Sequence, residues 1–188
     1  MRLFLAINLP AEVRRALDSA TRPLRDVAPR LKWVAAERVH LTVRFLGEQP
    51  IERLPEIRTV IDAATARHAE APLALGGLGA FPNFRRARVV WLGVAPDPRL
   101  ELLHHDVEDA CVGLGLEPEG RAFRPHVTLA RVPDRADESE LRALHRLARS
   151  FHFEKHVDVS SVDLMASELA PEGPRYRLLH TSPLGAAV

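Results

Sequence analysis

Val39-His40-Leu41-Thr42-Val43 and Pro125-His126-Val127-Thr128-Leu129 decide the reading of this chain. Each is a histidine and a threonine separated by one apolar residue and followed by another, the alternation of a half-buried strand. Side chains at i and i+2 of a strand share a face, about 6.6 Å apart, so each stretch presents an imidazole beside a hydroxyl. Of nine histidines only these two sit in such a pattern, which points to a common origin.

The spacing between the two histidines, 86 residues, also carries Arg2-Leu3-Phe4-Leu5-Ala6-Ile7-Asn8-Leu9-Pro10 onto Arg88-Val89-Val90-Trp91-Leu92-Gly93-Val94-Ala95-Pro96. Both are an arginine, an apolar run and a closing proline. Helical spacing follows each proline, in Val13, Leu17, Ala20, Leu24 and Val27 and again in Leu100, Leu103, Val107, Ala110 and Leu114. Strand, helix and His-x-Thr strand therefore recur. Duplicated units usually pack about an approximate two-fold axis, so residues 1–188 are expected to form one two-lobed domain with the His-x-Thr strands facing each other across a cleft.

At 188 residues and 46% apolar content the chain can bury a core without disulfides or metals. Its single Cys111 has no intramolecular partner, as in a reducing compartment. The N-terminal apolar run meets Pro10 and Glu12 too early for a signal peptide or membrane span. A cytoplasmic monomer, away from membranes, is the expectation. A formal net charge of +1 argues against a protein that coats nucleic acid by bulk charge, and leaves room for a local basic rim.

In chain order, the pattern predicts strand 2–8, a helix from Ala11 to about Val27, a short strand at 31–35, the first His-x-Thr strand at 39–46 and a helix opening at Pro50. A strand from Pro72 to Leu78 runs into a glycine-rich turn. The second half reads as strand 88–94, helix 98–115, the second His-x-Thr strand at 126–130, a helix at 137–149, and strands near 151–157, 159–169 and 175–181. This is an α+β chain. Between the halves, Phe81-Pro82-Asn83-Phe84-Arg85-Arg86-Ala87-Arg88 combines aromatics with arginines. Phe84 and Arg85 suit a base and a phosphate; equally, such a loop can tuck its phenylalanines into the core and leave its arginines in water.

Two opposed imidazoles suit a reaction in which one atom gains a proton while another loses one, because imidazole is available in both states near neutral pH. In-line displacement at phosphorus makes that demand, and the neighbouring hydroxyls can donate to the non-bridging oxygens. A metal site is the rival use of paired histidines, but His-x-Thr lacks the carboxylate or thiolate company of usual ligand sets.

With these motifs, and with Arg2-Leu3-Phe4-Leu5-Ala6, Arg44-Phe45-Leu46-Gly47-Glu48, Trp91-Leu92-Gly93, Ala130-Arg131 and a late Tyr176, the chain resembles the 2H phosphoesterases over nearly its whole length. Within them it is most similar to the RNA 2′,3′-cyclic phosphodiesterases, also described as 2′-5′ RNA ligases. The resemblance implies a bilobal fold of two antiparallel sheets around a central cleft with helices outside. It also implies hydrolysis of an RNA-terminal 2′,3′-cyclic phosphate, or of a small cyclic nucleotide, to a 2′-phosphate with neither metal nor cofactor. By motif position His40 is the proton donor, His126 the proton acceptor, and Thr42, Thr128 and Arg131 hold the phosphate. Arg131 lies at odd parity from His126, so a bend in the strand is needed to bring it to that face. Arg44, at even parity with His40, is a further candidate for an RNA phosphate. Two alternatives remain at this level: 2′-5′ joining of tRNA halves by the same histidines, and an RNA-end binding module without turnover.

Overall fold

The computed structural model describes residues 1–168, 170 and 173–185. Its strands, among the described residues, are β1 (Arg2–Asn8), β2 (Lys32–Trp33), β3 (His40–Glu48), β4 (Ala71–Phe81), β5 (Val89–Val94), β6 (His126–Arg131), β7 (Glu154–Val159), β8 (Ser161–Glu168) and β9 (Arg175–Pro183). The helices are α1 (Ala11–Ala20), α2 (Arg22–Val27), α3 (Leu54–Thr65), α4 (Pro98–Gly113) and α5 (Glu138–Ala148). All strand pairings are antiparallel, in the order β7-β4-β5-β6-β3-β1-β8-β9, with β2 added alongside β6. The expected α+β architecture is present, its antiparallel strands falling into a group of five (β7, β4, β5, β6 and β2) and a group of four (β3, β1, β8 and β9) within one sheet. These groups meet through a single paired position, Leu41 on β3 with Val127 on β6.

Alternation along the strands assigns the two faces. Leu3, Leu5 and Ile7 of β1 and Leu41 and Val127 at the joint point to one side. There they pack with Val13 and Leu17 of α1, Ile57 and Ile61 of α3 and Leu103 and Val107 of α4. A second apolar cluster sets Leu24 of α2 and Leu141 and Leu144 of α5 over Val90 and Ala130. Burying such a side chain contributes roughly 1.5–3 kcal/mol, so the helices close this face of the sheet. Among the described residues the opposite face carries a small buried cluster of Phe4, Ala6 and Met165 with Tyr176. Helices on one side thus leave the other open for a site. No helix among the described residues is long and apolar enough to cross a membrane.

Several local expectations change. The helix over 11–27 is broken at Thr21, because Pro23 has no N–H with which to continue the ladder; Thr21 Oγ1 donates to the Leu17 carbonyl at 2.9 Å and α2 restarts. Pro50 opens a single 3₁₀ turn before α3 begins at Leu54. The glycine-rich stretch is no turn. β4 continues to Phe81, using Gly77 at φ +73° for an irregularity between Leu75 and Leu78, and Gly79 to accept the indole of Trp91 flat against its backbone. The strand expected at 159–169 begins at Ser161, and position 169 lies outside the described residues.

Candidate active site

The joint between the halves builds the site. In an antiparallel pair, Leu41 opposite Val127 places His40 across from Thr128 and Thr42 across from His126. Both apolar residues face the helices, so the two histidines and two threonines project together from the open face. Directly opposed side chains have Cβ atoms about 4.5–5.5 Å apart. The four groups therefore form one cluster, each imidazole diagonal to the other.

Backbone carbonyls set the ring tautomers in the same way twice. His40 Nδ1 lies 2.8 Å from the Arg38 carbonyl and His126 Nδ1 2.6 Å from the Arg124 carbonyl. A carbonyl only accepts, so each Nδ1 carries hydrogen and each Nε2 is left for chemistry. In His40 that Nε2 is 3.1 Å from Thr42 Oγ1. Aromatic rings hold the imidazoles from the side: Phe4 at 5.1 Å and Tyr176 edge-on at 5.3 Å for His40, Phe81 edge-on at 5.0 Å and Trp91 at 6.4 Å for His126. Burial lowers the His40 pKa from the ordinary imidazole value; the hydrogen bond to Arg38 raises it, and the charge of His126 lowers it further. Asn8, the register partner of His40 on β1, donates Nδ2–H to the buried Asp163 carboxylate at 2.7 Å.

Strand irregularities decide which arginine joins the cluster. Ala6 pairs with Thr42 but Leu5 pairs with Arg44, so Val43 is an extra residue on β3; Trp91 pairs with Thr128 but Val90 pairs with Ala130, so Leu129 is an extra residue on β6. Both bulges bury two successive residues after the threonine. They invert the parity that ideal strands would impose. Arg131 comes to the face of His126 and Thr128, meeting the need for a bend. Arg44 is turned off the histidine face and held in ion pairs at the wall of the neighbouring cleft, a correction to its assignment as an open phosphate contact. There its guanidinium is 6% exposed, with Nε 2.6 Å from Glu108 Oε2, Nη1 2.9 Å from Glu119 Oε1, and Nη2 donating to the Glu117 carbonyl. The residue that stands on the histidine face in its place is Phe45, which is 52% exposed. These pairings also place the strand repeat at 85 residues (Ala6 with Trp91), one less than the 86 that relates the histidines.

Phe84 and Arg85 lie elsewhere. Asn83 Oδ1 accepts from the N–H groups of Arg85 and Arg86, making a 3₁₀ turn, and Phe84 stacks on His145 of α5 at 5.0 Å and 8°. Phe84 is packed against the second core cluster. A cleft was expected; what the sequence reading missed is part of its lining, for about 800 Å³ beside the histidines is enclosed by Phe45, Phe81, Arg121 and Phe123 together with Thr42 and His126. One signal was available: both motifs extend backwards as Arg-x-His-x-Thr, at Arg38 and Arg124. Among the described residues no group of three or more His, Cys, Asp or Glu side chains is placed to hold a metal ion.

Two tautomer-fixed imidazoles with adjacent hydroxyls on an open antiparallel sheet are the arrangement that the resemblance to the 2H phosphoesterases led one to expect. The model of the 2′-5′ RNA ligase superfamily matches residues 10–170, and the chain belongs to that superfamily. It is 31% identical to the RNA 2′,3′-cyclic phosphodiesterase of Methanothermobacter thermautotrophicus, over 94% of this chain and 95% of the relative. An RNA 2′,3′-cyclic phosphodiesterase of Geobacillus stearothermophilus is 34% identical over 128 residues, where the match takes in 68% of this chain and 41% of that protein. Among solved structures, E. coli LigT complexed with 3′-AMP superposes with a TM-score of 0.76 at 28% identity, covering 97% of both chains.

Proposed function

We propose that the protein hydrolyses RNA-terminal 2′,3′-cyclic phosphates to 2′-phosphates, without a metal. The observation that carries this reading is the Leu41–Val127 register, which sets two His-Thr pairs diagonally on one open face with both Nδ1 atoms occupied. A cyclic phosphate between the rings is attacked by water on the side of His126, whose neutral Nε2 takes the proton. The bond to the 3′ oxygen breaks on the opposite side, where protonated His40 Nε2 supplies the proton. Thr42 and Thr128 donate to the non-bridging oxygens and Arg131 balances their charge. Burial favours neutral His40 in the free site; an anionic phosphate beside the ring reverses that preference, so His40 charges when substrate binds.

Absence of metal from the mechanism is supported by the groups beside the rings, which are hydroxyl and aromatic rather than carboxylate or thiolate. The matching registers and bulges support reading the chain as one domain with an internal duplication. The test is turnover of a nucleoside 2′,3′-cyclic phosphate and of end-labelled RNA in excess EDTA, with products separated. Accumulation of 2′-phosphate ends, lost in His40→Ala and His126→Ala, is the expected result. Joined RNA as the main product, binding without turnover, or turnover abolished by chelation each overturns it.

A further inference from the structure

The proposed chemistry occupies the two His-Thr pairs, yet the cleft beside them is near the upper end of the ~300–1,000 Å³ typical of small-molecule sites. One wall is the segment 117–125, which leads directly into His126. This segment is pinned in the free protein. Arg44 grips Glu119 and the Glu117 carbonyl, Glu119 N–H donates to Glu108 Oε1 at 2.7 Å, Phe123 stacks on His104 at 3.8 Å, and Arg53 Nη2 holds the preceding Leu114 carbonyl at 2.6 Å.

Pinned in this way, the segment offers two free cations. Arg121 and Arg124 are exposed and line the cleft. Among the described residues neither guanidinium has an ion pair or hydrogen-bond partner. The cleft's own acid, Glu119, is tied to Arg44, which also pairs with Glu108. Arg88, which also lines it, is paired with Asp134 at 2.7 Å. Across from them stands Phe45, an exposed aromatic ring backed by Phe4 at 6.2 Å. Sequence-tolerant single-strand binding needs such a pair of features, aromatic faces for bases and basic groups for phosphates.

Resting on the proposed reading of the histidines, we infer that this cleft is a track for the single-stranded RNA leading to the reacting end. Phe45 stacks a base, and Arg121 and Arg124 take backbone phosphates. The occupant is single-stranded rather than duplex, because bases must be unpaired to lie on Phe45.

The probes are a nucleoside 2′,3′-cyclic monophosphate and a tetraribonucleotide with the same end, compared by kcat/KM between 50 and 200 mM salt. A fluorescent tetraribonucleotide with a 2′-phosphate end measures binding alone. The track predicts that the double variant Arg121→Gln/Arg124→Gln cuts the preference for tetranucleotide over mononucleotide at least tenfold and flattens the tetranucleotide's log–log salt slope by about 1.4, at 0.7 per phosphate contact. Phe45→Ala cuts the preference at least fivefold and Phe45→Trp restores it. An unchanged preference and salt slope in these variants overturn the track while leaving the hydrolase reading intact. Arginine-dependent binding of the labelled strand without turnover of either substrate overturns the hydrolase reading and leaves the track.

Discussion

Gly79→Ala tests whether the ring cradle around His126 is held by packing. A Cβ at Gly79 would stand 2.2 Å from two atoms of the Trp91 indole and 2.6 Å from a third. Reaching an ordinary contact of about 3.5 Å requires the ring to move by roughly 1.3 Å. Trp91 cannot yield alone. It lies opposite Thr128, 5.1 Å from Phe81 and 6.4 Å from His126, and Phe81 itself touches His126. Overpacking of this kind costs about 1–3 kcal/mol of stability, and a misplacement near 1 Å at a reacting group costs on the order of 10²-fold in rate. Urea denaturation and steady-state turnover of a nucleoside 2′,3′-cyclic phosphate read the two effects. Gly113→Ala is the control: nothing lies within 4 Å of its added Cβ at the end of α4, so it keeps full activity and gains about 0.5–1 kcal/mol of helix stability. A Gly79→Ala protein with wild-type stability and turnover would refute the claim that Trp91 positions the second histidine.

Other outcomes follow from the same geometry. Thr42→Ala and Thr128→Ala each lower kcat by about 10²-fold, the usual loss on removing one donor to a developing oxyanion; a loss confined to KM contradicts their place in the transition state. In the proposed role of proton donor His40 would work only while protonated, and burial lowers its pKa in the free protein. The alkaline limb of kcat/KM therefore falls below the ordinary imidazole range, and that of kcat, governed by the phosphate-bound state, lies at higher pH; coincident limbs sink the assignment. Arg131→Gln lowers kcat/KM for the mononucleotide by roughly 10-fold or more, the value of a charge-assisted contact. Phe84→Leu breaks the stack on His145 and lowers denaturation stability by about 1 kcal/mol, leaving the salt dependence of RNA turnover as it was.

What could be read from sequence was whatever obeyed a simple period. The His-x-Thr pairs lie on alternating strands, so the shared face of each histidine and threonine followed from spacing; the two strands were expected to face each other across a cleft, and instead they pair as neighbours in one sheet at Leu41 and Val127. Arg44 and Arg131 sit where the period slips. Val43 and Leu129, the bulged residues, are ordinary apolar side chains that carry no local mark of irregularity, so parity arguments fail for the residues beyond them. The repeat length erred for the same kind of reason, since Arg2 and Arg88 align by residue type while the ladder aligns Ala6 with Trp91. Glycines at 76, 77 and 79 look like a turn, yet two of them serve a strand irregularity and a flat indole, which depend on partners far along the chain. The reading of Phe84 was undecided because a loop aromatic suits a base or a core equally; the choice rested on His145, 61 residues away, which no local pattern announces.

The meeting of the two strand groups at Leu41 and Val127 has a mechanical side. One rung resists splaying far less than a full ladder does, and here it lies directly beneath the histidines. A change of angle between the strand groups at that rung would change the gap between the imidazoles, which stand on either side of it. Swelling or trimming Leu41 or Val127 is therefore expected to alter that gap from behind, with every side chain on the histidine face retained.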